Sequence, residues 1–75
     1  IQYSNDKNKL GFEFEKSCIS CKIEIVDSEN TTVLIKVLNN GNETDINLTE
    51  LIAGNYFLRV SKDNNLIFNE ELIKL

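Results

Sequence analysis

The chain has no proline, histidine, methionine or tryptophan, and only three glycines and two cysteines. Without histidine or a third cysteine, a zinc site would have to draw carboxylates, or a second chain, into its four ligands. No stretch approaches the ~20 apolar residues that a membrane-spanning helix requires. Eight basic residues face twelve acidic ones, for a net charge of −4, and the lysines are scattered singly from Lys7 to Lys74. A basic stripe that could track phosphates is therefore missing, so neither nucleic acid nor an anionic membrane surface is an expected partner. No signal peptide is visible, and the start at Ile1, with polar residues behind it, is expected of a mature or excised fragment.

What is present suffices for one small core. Seventy-five residues allow a single domain, and 41% hydrophobic content is too much for a disordered tail. A chain of this length buries roughly 60–65% of the surface it exposes when unfolded, so modest stability is expected.

The apolar residues follow a period of two. Positions 1–9 are polar and carry no period, and read as a leader or an edge segment; residues 10–75 read as one domain. Leu10, Phe12 and Phe14 alternate with Gly11, Glu13 and Glu15, the pattern of a strand with one buried face. Cys21, Ile23 and Ile25 repeat it and stop at Asp27-Ser28-Glu29-Asn30, a cluster of turn formers. Thr32 to Leu38 is rich in β-branched residues, and Val33, Ile35 and Val37 are the expected inward side. Asn39-Asn40-Gly41-Asn42 is the strongest turn, because Asn and Gly tolerate left-handed backbone angles. Ile46 and Leu48 alternate again, Leu51 drops beneath a turn, and Gly54 marks a backbone position expected to need positive φ. Tyr56, Leu58 and Val60 then share one face of a strand, with outward Phe57 beside Arg59 as a candidate interface anchor. In the last segment, Leu66 and Phe68 have one parity and Ile73 and Leu75 the other; a bulge near Glu70-Glu71 would bring both pairs inward, and this strand is favoured over a short helix because every preceding segment is short and ends in a turn signal. Six or seven short strands, each ending in a turn signal, predict an all-β fold, an antiparallel immunoglobulin-like β-sandwich.

Little in the sequence points to chemistry, and the chain is expected not to be an enzyme. Cys18-Ile19-Ser20-Cys21 admits a structural pair, a local disulfide between Cys18 and Cys21, or redox and metal chemistry. A redox dithiol works best at a helix N-terminus, which nothing here provides. Residues three apart on a regular strand point to opposite faces, so a disulfide would need a turn at Ile19-Ser20. Carboxylates gather in pairs beside the turns (Asp27 with Glu29, Glu43 with Asp45, Glu70 with Glu71), but none has EF-hand spacing. No catalytic residue, cofactor or metal site is therefore expected.

From Lys22 to Leu75 the layout resembles the C-terminal sorting domains of Bacteroidetes proteins exported by the type IX secretion system. The resemblance rests on Ile23-Glu24-Ile25-Val26-Asp27, then Val33–Leu38, then the motif residues Ile46, Leu48, Leu51, Gly54, Tyr56 and Val60, and on the terminal Leu72-Ile73-Lys74-Leu75. The same core is similar to small free-standing secreted Bacteroides proteins with an immunoglobulin-like sandwich. The first resemblance implies a non-enzymatic C-terminal sorting or accessory domain of a secreted protein, with the secretion machinery or a cell-surface protein as partner. The second implies a free-standing secreted or periplasmic binding module of unknown ligand. Both imply a secreted, periplasmic or cell-surface location, and neither fixes the oligomeric state.

Overall fold

The computed structural model of the chain describes residues 2–6, 8–16 and 19–75, the first of these stretches by its backbone pairing alone. They form seven strands: β1 (Gln2–Asp6), β2 (Lys9–Glu13), β3 (Cys21–Asp27), β4 (Thr32–Leu38), β5 (Glu43–Asn47), β6 (Gly54–Lys62) and β7 (Asn65–Lys74). Among the described residues no helix is long and apolar enough to cross a membrane. The strands make two sheets, one of three in the order β1-β2-β5 and one of four in the order β4-β3-β6-β7. Every pairing is antiparallel. The chain passes from one sheet to the other after β2, after β4 and after β5, which is the connectivity of an immunoglobulin-like sandwich.

The turns follow from their residues. Asp27 ends β3 and its carboxylate Oδ1 accepts the N–H groups of Glu29 and Thr31, each at 2.9 Å, so one side chain shapes the whole reversal into β4. Asn30 takes the left-handed backbone there, with φ 67°. Lys62 pairs with Asn65, leaving Asp63 and Asn64 as a two-residue loop with φ of 50° and 67°. Two positive φ angles in succession make the tight hairpin whose twist matches its strands. Gly41, with φ 127°, sits where the chain leaves β4 for the opposite sheet.

The two inner faces meet in one core. Leu10, Phe12 and Phe14 enter it from the β2 side, Ile46 and Leu48 from the β5 side, Cys21, Ile23 and Ile25 from β3, and Tyr56, Leu58 and Val60 from β6. Because Phe12 and Phe14 are two apart, their rings lie on one face, stacked with centroids 6.4 Å apart, within the range of favourable aromatic pairs.

Two expectations fail. Val33, Ile35 and Val37 do not line the core; they are 38%, 58% and 52% exposed. Both parities of β4 are apolar, so the sequence alone does not say which one points inward, and register decides. Leu38 lies opposite Cys21 and Leu34 opposite Ile25, both inward residues, so Leu38 is buried and Leu34 partly so. One step of register moves a whole set to the other face. The C-terminal segment is a bulged strand, as expected, but its bulge does not fall at Glu70-Glu71. Its irregularity falls where Val60 faces Phe68 and Ser61 faces Leu66, which leaves Ile67 as the extra residue. From there Phe68, Glu70 and Leu72 stand opposite inward Val60, Leu58 and Tyr56; Leu72 is buried, whereas Ile73 and Leu75 are exposed. Leu51, expected inside, is partly buried and packs against the edge of the core.

Candidate interaction surface

The motif residues come together, but in the interior. Ile46, Leu48, Tyr56 and Val60 are all buried, and Leu51 covers them from the loop between β5 and β6. Within that loop the Leu51 N–H donates to the Leu48 carbonyl at 3.0 Å, a tight turn that aims Leu51 back at the core. The Tyr56 ring is buried while its hydroxyl donates to the Ile52 carbonyl at 2.7 Å. A tyrosine near the start of its strand, bonded a few residues back, is the corner device of immunoglobulin-like sandwiches. Gly54 lies between, with φ 156°, in a region that side chains with a Cβ rarely adopt. A Cβ built there would meet nothing within 4 Å, so glycine is needed for its backbone angle and not for space. These residues hold a loop; they do not present a reactive group.

Beside that loop is an open depression of about 540 Å³ at one end of the sandwich. Asp27, Glu29 and Glu50 line it together with Leu51, Ile52 and Tyr56. The Asp27 carboxylate is engaged in its own turn, and the Tyr56 hydroxyl in pinning Ile52. Neither is aimed into the space as an unmatched polar group, and no nucleophile and base are paired there.

The outer face of the four-stranded sheet is the more distinctive surface. Its apolar residues include Ile35 and Val37 on β4, Val26 on β3, Phe57 on β6 and Ile73 on β7, with Val26 directly opposite Phe57 and Val33 exposed at the bulge of β4. Val26 is almost fully buried, yet it lies outside the core between the sheets. Ile25 and Val26 are adjacent on one strand, so both faces of the sheet must be covered at that level. Two neighbouring apolar residues just before the Asp27 turn were the sequence signal for this second cluster.

Charge is concentrated next to it. Glu24 lies between Ile35 and Arg59 in register, its Oε2 accepting the Thr32 hydroxyl at 2.9 Å and its Oε1 lying 3.3 Å from Lys22 Nζ. The Thr32 hydroxyl is the main reason the Glu24 carboxyl is held below its ordinary 4.5; Lys22 and Arg59 add to the effect, and partial burial opposes it. Lys9 and Asp45 form a second pair at 3.3 Å on the other sheet, both well exposed. Of the two cysteines, Cys21 is buried and disulfide-bonded, while Cys18 lies outside the described residues.

The surface thus combines a filled interior, a pinned loop and an outward face that is apolar along one edge. No curated protein and no solved structure matches the chain. The family model of the secretion system C-terminal sorting domain does match, over residues 4–74, and with its motif residues closing one sandwich the chain belongs to that family.

Proposed function

We propose that the chain acts as a non-enzymatic sorting domain of a secreted Bacteroidetes protein, read by the type IX export machinery through its exposed strands. The family match over residues 4–74 carries this reading. Membership of that family implies a secreted or cell-surface protein. The geometry supports the reading in one respect above others. The motif residues are spent on the core and on the loop that closes it, so any recognition must use what they hold in place. The outer face of β4, β3 and β6, with Ile35, Val37 and Phe57 exposed, is one apolar surface so held. A folded interior and an outward binding face need no catalytic group.

The test is a fusion. A folded reporter carrying a signal peptide and this chain at its C-terminus is expressed in Bacteroidetes cells with and without a working type IX system. The reading expects the reporter outside the first cells and retained in the periplasm of the second. A reporter that stays periplasmic in both would defeat the sorting role and favour a free-standing module. A reporter exported equally well without the chain would also defeat it.

A further inference from the structure

The four-stranded sheet has two free edges, and they are built differently. β7 carries Glu70 and Glu71 in its middle, Asn65, Asn69 and Lys74 along its length, and a bulge at Ile67. Charges and bulges are the usual means of keeping an edge from pairing. β4 reads Thr-Val-Leu-Ile-Lys-Val-Leu, with no glycine or proline, Lys36 as its one charge and an irregularity of its own at Val33, between Thr32 opposite Val26 and Leu34 opposite Ile25. No described strand pairs with its outer side, so alternate residues turn N–H and C=O groups outward unpaired. Ile35 and Val37 are each more than half exposed beside them. That irregularity lies near one end, so from Leu34 to Leu38 β4 has the composition of a pairing strand and a single charge, against the two adjacent glutamates of β7.

We propose that two copies of this chain join along β4, antiparallel and related by a two-fold axis. Charge selects this occupant and this direction. At its N-terminal end β4 follows the turn that carries Asp27 and Glu29, and Lys36 lies in its C-terminal half, one residue past the midpoint Ile35. Antiparallel pairing brings Lys36 of each copy towards the acidic turn of the other and keeps the two acidic turns at opposite ends of the joint. Parallel pairing would set Asp27 and Glu29 beside their own copies, at a repulsive cost. The antiparallel joint also brings Ile35 and Val37 of both copies into one apolar row, with Lys22 and Glu24 of β3 behind it. Such β-branched cross-strand pairs stabilise a sheet. A seven-residue edge falls short of the roughly 1,000 Å² of a stable interface, so the pair is a weak one that forms as concentration rises.

Sedimentation equilibrium of the intact chain, from micromolar to millimolar concentration, reads the association directly. A monomer–dimer equilibrium is expected, and it should be lost in Ile35→Lys and in Lys36→Glu, while Ile73→Lys at the far side of the same face leaves it unchanged. All three positions are exposed, and matching thermal melts would show that the variants fold. Hydrogen exchange should show amides of Thr32–Leu38 gaining protection as concentration rises, with no gain along Asn65–Lys74. A chain that stays monomeric throughout would overturn the proposal, as would a dimer whose protection falls on β7. A dimer that survives Lys36→Glu would overturn the antiparallel arrangement.

Discussion

The two faces of the four-stranded sheet are made by the same strands and have opposite characters. On the inner face Ile23, Ile25, Leu58 and Val60 are completely buried against the opposing sheet. On the outer face the residues between them are Lys22, Glu24, Arg59 and Ser61, and Val26 is the one outward position on β3 or β6 that is buried as deeply. At β4 the distinction collapses, because apolar residues occupy both sides. An alternating strand thus declares which side is buried only when its other side is polar. Where both are apolar, the neighbour's register decides, and the losing side becomes exposed hydrophobic surface.

This contrast is best tested by truncating one residue on each face. Ile25→Ala opens a cavity in the core and should cost about 2–5 kcal/mol in urea unfolding, a large share of a small domain's stability. Ile35→Ala removes a comparable side chain from the outer face and should change stability by less than about 0.5 kcal/mol. Equal losses for the two would mean that the outer face is packed in the free chain, and the contrast would fail.

The loop that closes the core should give intermediate effects. Gly54→Ala should destabilise by about 1–2 kcal/mol through backbone strain alone, since the added Cβ has open space. Gly54→Val should be worse, because a branched Cβ is tolerated still less at that angle. Thermal melts coinciding with that of the unmodified chain would remove the conformational argument. Tyr56→Phe keeps the buried ring and loses the bond to Ile52; a cost of about 0.5–1.5 kcal/mol is expected, seen as a lower urea midpoint at unchanged slope.

The smallest effect concerns pH. The folded state lowers the Glu24 pKa, so this group adds stability above its ordinary 4.5, and that contribution disappears as pH falls through the lowered value. Glu24→Gln removes the titration. The stability lost by the unmodified chain between neutral pH and the region below 4.5 should therefore exceed the loss in the variant, by a margin that unfolding at the two pH values would show. A variant losing as much as the unmodified chain would assign the acid sensitivity to other carboxylates.

Much of this fold was legible because local rules and burial agreed. Phe12, Phe14, Ile23, Ile25, Leu58 and Val60 alternate with polar neighbours, and their side is unambiguous. Asp27 and the Asp63-Asn64 pair announce their turns through side-chain and backbone chemistry that acts over only a few residues. β4 and β7 are legible as strands but not in which residues they turn inward, for one common reason: that side is set by pairing with β3 and β6, which is non-local. Leu72 is buried because it stands opposite Tyr56, sixteen positions earlier, and no periodicity within the last ten residues contains that fact. The candidate surface was less legible than the core. The motif could be read, but it specifies what lies inside, and the outward face is what remains after register has been fixed.

The order of the strands also sets an order in time. β3 is flanked by β4 and β6, with Cys21 paired to both Leu38 and Lys62, and β2 waits for β5 across Glu13 and Glu43. A chain supplied from its N-terminus can first make only two hairpins, β1 with β2 and β3 with β4. Packed face to face these hairpins cover part of the core, but the rest stays open until β5 and β6 arrive, and β7 has no place to add before β6. Closure of the sandwich therefore waits for its last strands: a chain that stops before β6 lacks Tyr56, Leu58 and Val60 of the core and the strand on which β7 pairs.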